Sequence, residues 1–209
     1  MAKVFTKSEP VQMVINEMVI NLPPAFDMSD EEFFEFCQTN SELRIERTAQ
    51  GDLIIMPPTG GETSSRNSKL TMQLTAWAEK DGTGVSFDSS GEFVLPNGAT
   101  RSPDASWVTR KRLAKLTSEQ KKRFLPLCPD FVIELRSPSD GLAAIKEKME
   151  EYIANGAQLG WLIDTQNRQV HIYRPDDEAE CLDNPQTLSG NPLLPGFTLD
   201  LRGIWEPGL

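Results

Sequence analysis

The sequence predicts an α/β fold with a mixed central sheet flanked by helices. Three observations carry that prediction. Apolar residues recur at helical spacing in two long stretches, roughly 63–80 and 142–153. Pairs of short apolar runs flank turn residues at Gly51-Asp52 and Gln166-Asn167, the signature of hairpins. The run Phe131 to Leu135 is apolar on both faces, as a central strand is. Hairpins that alternate with helices call for antiparallel as well as parallel pairing.

The elements follow in order. "SDEEFFEFCQTN" opens with Ser29 as an N-cap and acids in the first turn, and predicts a short helix. "LRIERTAQGDLIIMPP" predicts a hairpin that stops at its prolines. In "GGETSSRNSKLTMQLTAWAEK", Leu70, Met72, Leu74, Trp77 and Ala78 support a helix. "GVSFDSS", "GEFVLPNG" and "TRSPDASWV" are short extended pieces, and Pro103 biases Ser102 toward extended geometry, which puts Asp104 at the entrance to a strand. Residues 110–123 are expected to be helical. "SDGLAAIKEKMEEYIANG" predicts a helix capped by Asp140 or Ser139, striped by Leu142, Ile145, Met149, Tyr152 and Ile153, and ended by Gly156. "LGWLIDTQNRQVHIYRP" predicts a second hairpin. The Pro- and Gly-rich remainder is expected to wrap the same domain.

The 209 residues are expected to form a single domain, since no linker or fixed-period repeat divides them. No apolar run nears the roughly 20 residues of a membrane span, and the first residues lack the apolar centre of a signal peptide. Cys37, Cys128 and Cys181 are odd in number and far apart, which fits a reduced, cytoplasmic setting. His171, the single histidine, argues against a histidine-rich zinc site and reads as a surface or packing residue. Tyr152 and Trp161 read as core, and Ser137 and Ser139 beside Pro138 as turn and cap residues. The net charge of −10 argues against charge-driven binding of nucleic acid by the whole surface. Residues 110–123 run the other way, with seven Lys/Arg against Glu119. Arg110, Lys111, Arg112, Lys121 and Lys122 are therefore candidates for phosphate contact, or a solvated helix face.

Glu134 is the anomaly, because an ionised carboxylate in an apolar strand is costly unless compensated. It has three routes: pairing with Arg136, facing a solvent-filled cleft, or sharing a cation with Asp104. Two carboxylates with a backbone carbonyl and waters suit Mg²⁺, and such a site supports phosphodiester hydrolysis. Spacing alone leaves all three open.

"SPDASWV" (102–108), "PDFVIELRSPSD" (129–140) and "KMEEYIANGAQLGWLID" (148–164), in this order, resemble the Uma-type restriction endonuclease family. That family is abundant in cyanobacteria and lies within the PD-(D/E)xK nuclease superfamily. The resemblance runs from about "PPTGGET" to "HIYRP". It implies an αβββαβ core over about residues 55–175, with an N-terminal helix and hairpin extension and a C-terminal wrap. It also implies a Mg²⁺- or Mn²⁺-dependent DNA endonuclease. By that resemblance Asp104 and Glu134 are the paired acids, the Leu135 carbonyl is a third metal ligand, and Glu62 matches a further acid. Glu62 equally suits an ordinary first-turn acid. The superfamily's lysine is replaced by Arg136, which stays protonated and cannot act as a base. Lys148 matches the lysine that the family supplies from the following helix and is expected to take the water-orienting or acid/base role, with Arg136 in an electrostatic one; Lys146 flanks the same apolar stripe on its other side. A homodimer is expected if both strands of a duplex are cut. The other readings are a catalytically silent binding or structural module and a phosphodiesterase acting on another substrate.

Overall fold

The computed structural model describes residues 18–23, 26 and 28–209. The N-terminal stretch read for a signal peptide lies almost wholly outside them. The first part of the chain contains β1 (Met18–Ile20), α1 (Asp30–Thr39), β2 (Arg44–Arg47), β3 (Leu53–Met56) and α2 (Gly61–Asp81). The middle contains β4 (Gly84–Asp88), β5 (Phe93–Val94), β6 (Thr100–Arg101), β7 (Ala105–Thr109), α3 (Arg110–Leu113) and β8 (Phe131–Arg136). The remainder contains α4 (Leu142–Ala154), β9 (Leu159–Asp164), β10 (Gln169–Tyr173), β11 (Glu180–Asp183), β12 (Thr187–Ser189), β13 (Thr198–Asp200) and α5 (Arg202–Trp205).

A six-stranded sheet in the order β11-β10-β9-β8-β7-β4 forms the centre. It is mixed: β8 and β9 are parallel and joined through α4, whereas every other neighbouring pair is antiparallel. Taken as α2-β4-β7-β8-α4-β9, the middle of the chain has the αβββαβ order. The period of two along β8 divides its side chains between the layers. Phe131, Ile133 and Leu135 share a core cluster with Leu70, Leu74 and Ala78 of α2. Val132 shares the opposite one with Met149 and Tyr152 of α4. Glu134 falls on the α4 face by the same alternation.

The segment between β4 and β7 leaves this sheet. Its β5 and β6 complete a second, antiparallel sheet in the order β1-β3-β2-β6-β5. There Arg47 pairs with Thr100, which brings β2 beside the residues leading into Asp104. Helix α1 closes that sheet with the fully buried Phe33 over Ile45 and Leu53. The expected cap is present: Ser29 Oγ accepts the Glu32 N–H, and the Glu32 carboxylate accepts the Ser29 N–H at 2.9 Å. At the other end of the chain, Phe197, Leu199, Ile204 and Trp205 pack into the cluster formed by α2 and β8.

Two local expectations are corrected. Residues 110–123 do not form one helix. The four-residue α3 ends at Leu113, and a 3-10 turn follows at Gln120–Lys122. Thr117 and Gln120 exchange side-chain and backbone hydrogen bonds at 2.9 and 3.1 Å, which starts a new turn instead of extending the first. Helix α4 is not capped by Asp140 or Ser139; Gly141 holds the N-cap position without a side-chain bond. The Asp140 carboxylate is already used by the Ser137 N–H at 2.7 Å, in the turn before the helix. Gly156 follows α4 with φ +109°, the conformation that favours glycine after a helix end.

Gly84 marks the tightest approach in the central sheet, because a Cβ there would fall inside the Trp107 indole, which is itself buried. Gly84→Ala is therefore expected to lower stability by about 1–3 kcal/mol. Urea unfolding of the two proteins checks this.

Candidate active site

The β7–β8 ladder ends at Ala105 opposite Ile133. One step beyond, a side chain takes over from backbone: Asp104 Oδ2 accepts the Leu135 N–H at 2.8 Å. The preceding residue is Pro103, which has no N–H to continue the ladder. Asn67 of α2 donates to the other oxygen, Oδ1, at 2.8 Å. In a strand the N–H and C=O of one residue lie on the same edge, so the Leu135 carbonyl faces the same ladder end as Asp104. Glu134 arrives from the opposite face of β8. Its Oε1 accepts from Lys148 Nζ at 2.9 Å and from the Tyr152 hydroxyl at 3.0 Å. Among the described residues its Oε2 takes no hydrogen bond. The strand ends, the start of α2 and Lys148 enclose a cleft of about 440 Å³ lined by Asp104, Glu134 and Leu135.

Lys148 lies between two carboxylates. Besides Glu134 it contacts Glu46 Oε1 at 2.8 Å. Glu46 comes from β2, is almost fully buried, and also takes the Ser102 N–H at 2.9 Å and Arg101 Nη1 at 3.2 Å. Arg101 in turn holds Glu151 at 2.6 Å.

The electrostatics follow from this crowding. Burial, with Asp104 and Glu46 nearby and Lys148 opposing, pushes the Glu134 carboxyl up to about 7. Burial also raises Asp104, although the Leu135 N–H and Lys148 work against it. Burial works against the Lys148 charge, but the carboxylates of Glu134 and Glu46 outweigh it and the ammonium is held above its ordinary range. The carboxylates on either side thus favour the charged form of Lys148.

The structure therefore brings together Asp104, Glu134, the Leu135 backbone and Lys148. The other predicted residues stand elsewhere. Arg136 shares the face of Glu134, but its guanidinium is committed to Asp164 at 2.9 Å and to the Asp140 carbonyl at 3.2 Å, and it does not line the cleft. Glu62 lines the rim, well exposed and paired with Arg66 at 3.1 Å. Lys146 is not part of the cleft lining and lies near His171. Arg110 and Lys111 follow the far end of β7, a five-residue strand spanning roughly 17 Å, and Lys121 and Lys122 lie in the separate 3-10 turn; none of the four lines the cleft. Arg112 is held by Asp130 at 2.9 Å. His171 is buried.

Glu46, Arg101, Asn67 and the Tyr152 hydroxyl escaped the sequence reading. Glu46 carried no signal of the kind that singled out Glu134: in "RIER" it stands beside Ile45 with an arginine at each end, an ordinary charge in a polar strand. Arg101 directly precedes Ser-Pro-Asp.

A sequence profile of the Uma2 family, described as "Putative restriction endonuclease", matches residues 30–202. The chain belongs to the Uma2 family. Among solved structures, this Uma2 chain is similar to a protein from Anabaena variabilis ATCC 29413, described as "a putative nuclease belonging to DUF820". The TM-score is 0.71 at 22% identity, over 85% of this chain and 97% of that one, a likeness of fold. No curated protein matches the Uma2 chain.

A divalent ion fits this Uma2 cleft by the chemistry of its donors, which are all hard oxygens. No three His, Cys, Asp or Glu side chains gather as a metal-holding group among the described residues. The donor set is two carboxylates and a backbone carbonyl, which suits an ion that retains several waters.

Lys148→Ala leaves Glu46 and Glu134 facing each other without their cation. We expect it to cost about 3 kcal/mol of stability at pH 8. The loss should shrink at pH 6, below the Glu134 value of about 7, where that carboxyl is protonated and needs no partner. Urea unfolding at the two pH values checks both the size and the sign.

Proposed function

We propose that this chain is a Mg²⁺- or Mn²⁺-dependent endonuclease that hydrolyses phosphodiester bonds of DNA in the cleft beside α2. The carrying observation is that Asp104 and Glu134 reach one opening from adjacent strands, with the Leu135 backbone between them and Lys148 beside them. Family membership supports the reaction class.

Asp104, Glu134 and the Leu135 carbonyl would hold the ion. When bound, it supplies Lewis-acid activation of water and neutralises charge at the phosphate. The chain's own residues do the rest. Lys148 has three N–H donors, of which its two carboxylate partners use two. The third is available to a phosphate oxygen on which negative charge develops. Because its ammonium is stabilised, Lys148 orients water and donates hydrogen bonds; it does not remove a proton. Helix α2 begins at Gly60-Gly61 with no side-chain cap, so its first N–H groups are open to a phosphate at the cleft mouth, with Arg44 and Arg66 beside it. The role for Arg136 becomes structural, as the partner of the fully buried Asp164.

We assign all the described elements to one nuclease-like domain, supported by the C-terminal residues that pack under α2. A homodimer would supply a second cleft for the second strand of a duplex. Arg110 and Lys111, roughly one strand length from Asp104, would reach a duplex only beyond the cleft. That distance, with the net charge of −10, favours as a second reading a phosphodiesterase on a smaller substrate. No described helix is long and apolar enough to cross a membrane.

Two outcomes are expected. Asp104→Ala and Glu134→Ala should each abolish Mn²⁺ binding in calorimetry and cleavage of supercoiled plasmid; retention of both by either variant would contradict the assignment. Metal binding should also compete with a proton on Glu134. Affinity should weaken by about tenfold per pH unit below pH 7 and level off above it. Titrations at pH 6 and pH 8 in buffers of different ionisation heat would show about one proton released at the lower pH.

A further inference from the structure

We infer that Glu46 is a positioning residue of the active site, acting through Lys148, and that the N-terminal sheet is therefore part of the catalytic apparatus. The inference rests on the nuclease reading above and deepens it. Glu46 belongs to β2, which lies in the second sheet and outside the αβββαβ order. Its side chain nevertheless meets an α4 lysine, 102 positions along the chain, that lines the cleft.

Three contacts define what it does. Glu46 Oε1 takes Lys148 Nζ at 2.8 Å, beside the 2.9 Å contact to Glu134. A lysine stem has four carbons and many rotamers. Two acceptors on two different elements leave its ammonium little freedom, and aim the remaining N–H. The same Oε1 takes the Ser102 N–H at 2.9 Å, two residues before Asp104. One carboxylate thus ties the lysine and the approach to the aspartate to a common point. Arg101 at 3.2 Å balances the remaining oxygen. A carboxylate buried to this extent needs such partners, and all of those found here belong to the site or its approach.

A structural carboxylate and a positioning one predict different results. Glu46→Gln keeps length and an acceptor while losing charge, and Arg101 keeps its bond to Glu151, so this variant should fold with near-native circular dichroism; Glu46→Asp keeps charge but is one carbon too short to reach. At saturating Mn²⁺ and plasmid, kcat should fall by roughly 10–100-fold in Glu46→Gln while KM and Mn²⁺ affinity stay within about threefold. Glu46→Asp should be at least as impaired. Combined with Lys148→Met, Glu46→Gln should add no further loss, because its effect passes through the lysine. The readout independent of activity is acylation of lysines by an N-hydroxysuccinimide ester in metal-free protein, followed by peptide mass spectrometry. Lys148 should label several-fold faster in Glu46→Gln than in wild type, with Lys146 unchanged. Equal labelling of Lys148, or losses that multiply in the double variant, would overturn the inference. If the wild type does not cleave, the nuclease reading fails; faster Lys148 labelling would then still establish that Glu46 places the lysine.

Discussion

Two buried carboxylates, Glu46 and Glu134, share one ammonium, with the half-buried Asp104 beside them, and this is the constraint on which the structure turns. Glu46, Asp104 and Glu134 come from β2, the start of β7 and the centre of β8, and no two of them are near in sequence. Lys148 and Arg101 are the cations among them. Taking a carboxylate out of water costs several kcal/mol before any partner is counted. The arrangement persists because each acid has an assigned donor, and because one of them, Glu134, is left with its ionisation pushed up to about 7 by burial. On the proposed function, the open Glu134 oxygen is where a cation would bind. The acids of the site are held by strand ends and a helix, which suits chemistry that depends on fixed distances.

The topology serves that crowding. The excursion between β4 and β7 looks like an elaboration of the central sheet, yet it delivers Arg101 and Ser102 to Glu46 and then Asp104 to Leu135. Helix α4 crosses between the parallel strands β8 and β9, so Lys148 and Tyr152, on successive turns, both reach Glu134. The two clusters on either face of the sheet therefore have separate duties. The α2 side carries the large apolar cluster, which the C-terminal residues complete. The α4 side gives up part of its packing to the charged group.

Much of the fold was legible because it rests on local patterns. Short apolar runs flanking turn residues marked β2, β3, β9 and β10, and a 3.6-residue stripe marked α2 and α4. The basic stretch 110–123 misled because its composition favours helix, whereas Thr117 and Gln120 cap each other and break it. For the site, Asp104, Glu134 and Lys148 stood out as charges set against apolar surroundings or matched to a family pattern, and the structure brings them together. Glu46 stands in the charged strand "RIER" and carried neither such a contrast nor a motif; the pairing of Arg47 with Thr100 and the Glu46 contacts to Ser102 and Lys148 place β2 beside the site. Arg136 illustrates the converse: alternation placed it correctly on the face of Glu134, but a neighbouring strand supplied Asp164 and drew its charge away. Strand period reports direction; it does not report which partner a long side chain finds.

The central claim is that the open side of this charged group holds a divalent ion. Anomalous diffraction from crystals grown with Mn²⁺ and an uncleavable oligonucleotide tests it most directly. The account predicts one Mn²⁺ peak bounded by Asp104, Glu134 and the Leu135 carbonyl, with Lys148 still between Glu46 and Glu134. A peak at any other residues, or none at millimolar Mn²⁺, would contradict it.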